Sequence, residues 1–108
     1  MKNFDFMTPS KINYLVAIED DYDADWVRRH PQLVPDYCND PESAFPIMLQ
    51  HNIAILPTGL NGVWVAIHSP DIDKDNKIHA NILEYDENPL VAAMICFLKV
   101  MEVKHERQ

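Results

Sequence analysis

The sequence predicts an α+β fold: a small antiparallel three-stranded sheet with about three helices packed on it, in the order α-α-β-β-β-α. Three observations carry this. A cap-and-proline pair opens a helical pattern three times, at Thr8 and Pro9, Asp40 and Pro41, and Asn88 and Pro89. Both glycines of the chain, Gly59 and Gly62, lie between two apolar runs rich in β-branched residues, as in a hairpin. The final helical pattern is apolar over most of its circumference, so it needs cover on more than one side. At 108 residues there is room for one domain, residues 1–108, with one core.

In "TPSKINYLVAIED", Thr8 caps, Pro9 takes the first helical position, and Ile12, Leu15 and Val16 form an apolar face that Ile18 widens. The acidic run Glu19, Asp20, Asp21, Asp23 and Asp25 follows. Negative charge is disfavoured at a helix C-terminus, so the helix should end near Glu19 or Asp20, with a loop or short strand after it. Trp26 and Val27 are expected to tuck an apolar point into the core, and Trp26 to cluster with Arg28 and Arg29. In "CNDPESAFPIMLQHN", Asp40 caps and Pro41 starts a turn. Pro46 would cost an interior helix about 3 kcal/mol, so either a second helix restarts there or a continuous helix is kinked; Phe45 before it is pushed out of the helical region, which favours the restart. Asn52 suits the left-handed position that closes it. "IAIL" and "VWVAI" are the hairpin strands, and "IHANILEY" is a third strand that places Ile78, Ala80, Ile82 and Glu84 on one face. Asn88 then caps the helix "PLVAAMICFLKVMEV", whose apolar surface is first broken at Lys99.

Composition narrows the function classes. Hydrophobic residues make up 47% and charged residues 24%, as in an ordinary globular protein. Two glycines against eight prolines indicate stiff connections and leave no material for a glycine-rich phosphate cradle. The net charge of −8 argues against direct nucleic-acid binding. No apolar run approaches the ~20 residues of a membrane span, and the start lacks the apolar core of a signal peptide. With two well-separated cysteines, Cys38 and Cys96, the expected setting is a reducing cytoplasm without a membrane partner.

Candidate chemistry is sparse. Asp71, Asp73 and Asp75 match the first ligand positions of a calcium loop, but Asn76 stands where glycine is needed and Ile82 where a glutamate is needed, so a solvated loop is expected. The five histidines, His30, His51, His68, His79 and His105, show no metal-ligand spacing. Cys38 precedes a helix start, which lowers a thiol pKa, but Asp36 and Asp40 oppose this; Cys96 reads as a core residue. We therefore expect no catalytic residue, metal or cofactor. The one feature with a binding sense is the acidic run with Trp26, whose carboxylates could imitate nucleic-acid phosphates against a basic groove, although such runs are usually solvated loops.

The stretches "DYCNDPESAFPIMLQHNIAIL" and "ENPLVAAMICFLKVME" resemble the phage NinX-like family, small proteins of tailed phages and prophages. The family pattern matches Cys38, Asn39, Asp40, Pro41, Ala44, Phe45, Pro46 and Ile47, and Asn88, Pro89, Leu90, Ala92, Ala93, Met94, Phe97 and Leu98. "SKINYLVA" and "NGVWVA" are similar to the family as well. Phe45 replaces an expected Trp, Met48 an Ile, and the acidic run has no counterpart. The resemblance implies a phage accessory protein in a bacterial cytoplasm but no substrate or catalytic residue. It also implies that the Pro-aromatic-Pro element docks Phe45 under a broken helix.

The expected function is non-catalytic binding of a host or phage protein, such as a basic nucleic-acid-handling protein, in host takeover or counter-defence. Glu19, Asp20, Asp21, Asp23, Asp25 and Trp26 would supply the contact. The alternative is a homodimer or larger assembly built through the apolar C-terminal helix. A metal-assisted enzyme is the third reading.

Overall fold

The computed structural model describes residues 4–68 and 82–106. Four α-helices and three strands follow in order: α1 Pro9–Glu19, α2 Ala24–Arg29, α3 Pro41–Gln50, β1 Ile53–Pro57, β2 Trp64–His68, β3 Ile82–Asp86 and α4 Pro89–Glu106. Two single 3-10 turns, Phe4–Phe6 and Pro31–Leu33, precede α1 and follow α2. The α+β class and the antiparallel sheet, in strand order β1-β2-β3, agree with the sequence reading.

The cap-and-proline signatures act as expected. The Thr8 hydroxyl accepts from the Lys11 amide, Asp40 accepts from the Glu42 amide, and Asn88 accepts from the Leu90 and Val91 amides. Each side chain satisfies an amide that a helix start leaves unpaired, while the proline behind it has no N–H to satisfy. Prolines 9, 31, 41 and 89 all open helical segments, which accounts for half of the chain's proline.

Two expectations need correction. First, the acidic run leads into α2 and not into a loop or strand. Asp20 caps the C-terminus of α1, Asp21 turns the chain at φ +66°, and Asp23 caps α2 by accepting from the Asp25 and Trp26 amides. Asp25 in the first turn of α2 and Arg28 and Arg29 in its last match the helix dipole at both ends. Second, α3 runs unbroken through Pro46, with no restart. Glu42, whose carbonyl loses its amide partner, and Pro46 lie on the exposed face, where water can serve the freed group. Phe45 shares that side and is 46% exposed, so it is not docked under the helix. The aromatic that is buried is Tyr37, in the turn before α3, whose hydroxyl bonds to Asp20.

Asn52, at φ +56°, closes α3 in the left-handed conformation. The β1–β2 hairpin pairs Ile53 with His68 and Pro57 with Trp64. Its turn holds Gly59 and Gly62 at φ +79° and +74°. Pro57 is tolerated because β1 is an edge strand. Of the third predicted strand, residues 82–85 are seen in β3, and residues 78–81 lie outside the described residues.

The core centres on α4. It packs on all three strands and, on its other sides, on α1 and α3. Every residue from 90 to 98 is buried, including Ile95 at 3% exposure. The helix whose apolar circumference suggested an oligomer interface is thus consumed inside the fold. Lys99, where that surface breaks, pairs with buried Glu84 on β3.

Candidate functional site

The predicted site residues form a corner between α1 and α2, and most are occupied locally. Glu19 accepts from His105 Nε2 at 3.0 Å, joining α1 to the end of α4. Asp20 accepts from the Tyr37 hydroxyl at 3.5 Å. Its carboxyl is held above the usual range, first by burial and then by the charge of Asp21, against the lowering effect of the Tyr37 bond. Tyr37 is also pushed up, mainly by burial. Asp23 is spent on the α2 cap, and Asp25 pairs with Arg28 at 3.4 Å across an exposed turn, an interaction worth little. Trp26 is 36% exposed and stacks between Tyr22 and His30, with ring centroids 5.9 and 5.0 Å away; Val27 alone enters the core. The His30 Nδ1 donates to the Trp26 carbonyl at 3.0 Å, which locks the stack to the helix end. The corner is therefore a capped and cross-braced turn that presents its charge to solvent.

The two family-like motifs meet in space. Asn88 Nδ2 donates to the Cys38 carbonyl at 3.0 Å, tying the start of α4 to the turn that starts α3. On the other side of Cys38, Asn13 Oδ1 accepts the Cys38 amide at 3.0 Å, while Asn13 Nδ2 donates to Asp36 at 2.8 Å. Asn39 donates to the same Asp36 carboxylate. This network holds α1, α3 and α4 together, and its members satisfy one another. A pocket of about 280 Å³ lies beside it, bordered among others by Asn13, Asp36 and Asn39, whose side chains bond to one another through the Asp36 carboxylate. The Cys38 thiol is pushed up to about 12, by burial first and then by Asp36 and Asp86, the opposite of an activated nucleophile. Burial does the same to Cys96, also to about 12.

Two histidines converge, which spacing could not show. His68 Nδ1 donates to the His51 carbonyl at 2.9 Å, and the His51 ring tilts against Phe97 at 4.9 Å. Burial lowers both pKa values, and the Lys104 charge adds to it. Among the described residues no group of three His, Cys, Asp or Glu side chains could hold a metal ion. His79 and residues 71–81 of the calcium-like loop lie outside the described residues. Among the described residues, no helix is long and apolar enough to cross a membrane.

What the sequence reading missed is the outer face of the sheet. The ladder aligns Ala54, Ile67 and Leu83 in one cross-strand row and Leu56, Val65 and Tyr85 in the next. Side chains alternate between faces along a strand, and the opposite face, with Ala66 and Glu84, is buried under α4. These six residues therefore point away from the core; Leu56, Leu83 and Tyr85 are 50%, 48% and 60% exposed. The signal was present in the alternation of "ILEY" but needed the register of all three strands to become a surface.

Comparison with known proteins gives one positive result. The family model described as "Bacteriophage P22, NinX" matches residues 6–101. The chain matches no curated protein and no solved structure.

Proposed function

Since the chain belongs to the bacteriophage P22 NinX family, we propose that this phage protein works without catalysis, by binding another protein through the outer face of its sheet. The observation that carries this is the solvent-facing apolar patch of Ala54, Leu56, Val65, Ile67, Leu83 and Tyr85. A contiguous apolar patch on a soluble domain marks an interaction site more often than a neutral surface. Tyr85 and the flanking leucines are the side chains that become hot spots once water is excluded around them. The net charge of −8 supports a basic partner, because the field of the whole molecule speeds encounter and rejects acidic competitors. Asp21, Asp23 and Asp25 contribute to that field, while the apolar patch supplies the contact. A host protein that handles nucleic acid fits both requirements, in takeover of the cell or in counter-defence.

A second copy of the chain is the other occupant, since the same apolar face of two copies could cover each other. Two copies at −8 each repel, which favours the basic partner. The test is affinity capture from infected cells with wild type, a Leu56→Glu/Leu83→Glu variant and an Asp21→Asn/Asp25→Asn variant, repeated with the purified captured protein. Binding should be lost in the sheet variant, and in the aspartate variant it should weaken and depend less on salt. Unchanged binding by the sheet variant would sink the proposal. A wild-type dimer in light scattering that the sheet variant breaks would move the reading to self-assembly through the same face.

A further inference from the structure

The direction of each backbone group in the sheet follows from its turn. The Thr58 amide donates to the Val63 carbonyl at 3.1 Å. In an antiparallel ladder every second pair exchanges bonds, so Leu56 with Val65 and Ala54 with Ile67 carry those between β1 and β2. Trp64, Ala66 and His68 therefore turn their backbone groups to β3, where they meet Asp86, Glu84 and Ile82. The pairing is one-to-one, without a bulge. The N–H and C=O groups of Leu83 and Tyr85 consequently point the other way, out of the edge of the sheet. Among the described elements β3 packs on β2 and on α4, and α4 lies under its inner face.

Proteins blunt such edges with proline, lysine, a bulge or cover, because unpaired backbone groups invite another strand. β1 has two of these devices: Pro57 at an outward position, and α3 packed on it. β3, with the sequence Ile-Leu-Glu-Tyr-Asp, has no proline, lysine or bulge. We propose that this edge captures an extended segment of another protein as a fourth strand, one in which basic residues alternate with apolar ones. The inference rests on the outer face being the contact surface, and adds how the contact is made. Segment residues paired with Leu83 and Tyr85 place their side chains on that face. They lengthen the rows Ala54-Ile67-Leu83 and Leu56-Val65-Tyr85 by one apolar member each. The residue between them stands beside Glu84, with Asp86 and Glu87 at the strand end, so lysine or arginine is favoured there. Main-chain bonds supply affinity and the alternate side chains supply specificity. A second copy fits less well. A two-fold antiparallel pair joining Leu83 to Tyr85 sets Glu84 directly opposite Glu84, on top of −8 on each chain.

The test adds a blocked heptapeptide, Lys-Tyr-Lys-Val-Lys-Tyr-Lys, to the full chain and follows amide NMR and hydrogen exchange. The Leu83 and Tyr85 amides should shift saturably and exchange at least tenfold more slowly, while those of Ile53 and Ile55 on the other edge should not. Methylating the peptide's own nitrogens separates backbone from side chains. On the tyrosines and valine, whose N–H groups face β3, methylation should weaken binding about tenfold or more, the loss of two backbone hydrogen bonds. On the lysines, whose N–H groups face solvent, it should change little. Leu83→Pro removes an outward N–H and leaves the ladder to β2 intact, so it should bind about tenfold more weakly than Leu83→Ala. The amide spectrum of α4 reports whether that variant is folded, and the methylated peptides decide the matter if it is not. Equal binding of the two methylated peptides, with the methyl resonances of Leu56, Val65 and Ile67 still shifting, would overturn strand capture and keep the outer face as the contact. Absence of any saturable shift at Leu83 and Tyr85 would overturn it too, and the face reading would then be decided by the Leu56→Glu/Leu83→Glu capture alone. Slow exchange of both amides without peptide, lost on dilution, would give the edge to a second copy instead.

Discussion

Replacing Asn88 with alanine removes two functions of one side chain. Its Oδ1 caps α4 by accepting from Leu90 at 2.9 Å and Val91 at 3.3 Å, and its Nδ2 ties the Cys38 carbonyl at 3.0 Å. Loss of an Asn cap costs about 1 kcal/mol. The tie is a part-buried hydrogen bond to a carbonyl on a buried residue, worth about another 1 kcal/mol. The total of about 2 kcal/mol corresponds to a Tm drop of roughly 10 °C for a domain of this size. Asn88→Ser separates the terms, because serine keeps the cap but cannot reach Cys38; about 1 kcal/mol should be lost. Urea unfolding followed by circular dichroism measures both variants. If serine destabilises as much as alanine, the cap is not a separate contribution. If alanine changes stability by less than about 0.5 kcal/mol, the junction of the two motifs does not carry the weight assigned to it.

Lys99→Met removes one partner of buried Glu84 beneath α4, and the urea midpoint should report a loss of up to about 3 kcal/mol, the low end for a broken buried pair because Lys99 retains 24% exposure; pairing it with Glu84→Leu should recover most of that, and failure to recover would mean that the pair is not the cause. Cys38 and Cys96, both pushed up to about 12 by burial, should resist a thiol reagent at pH 8 in the native state and react fully in urea; rapid native labelling would contradict the burial. Because each thiol pKa is higher folded than the ~8.5 of a free cysteine, stability should also fall as pH rises above about 9, which a urea series at rising pH would reveal. His51 and His68 are lowered by burial, so the unfolded chain binds protons first and stability should fall as pH drops through about 6.5. That slope should flatten in a His51→Gln/His68→Gln variant, and an unchanged slope would assign it to other groups.

The elements whose signals are local were legible in the sequence. Thr8, Asp40 and Asn88 announce their helices, and Gly59 and Gly62 announce the hairpin, because capping and left-handed turns depend on a few adjacent residues. The six-residue α2 was not, since it is too short for a period to show and its cap, Asp23, is hidden among other acids. Pro46 misled for a physical reason: the local proline penalty is outweighed by the burial of Ala44, Ile47 and Met48 on the inner face of α3, while the freed Glu42 carbonyl lies on the exposed side. Surfaces were beyond reach altogether. The outer sheet face and the open edge of β3 require the register of all three strands.

The central place of α4 has a consequence for how the protein is made. The ribosome delivers α4 after every other described element, yet it is the slab against which the sheet, α1 and α3 each close. Until it emerges, the three-stranded sheet has its inner apolar face uncovered, and α1 has no wall to lean on. Folding is thus a single event that waits for α4. A chain cut short before Pro89 should yield no partial domain, only material for the host's proteases.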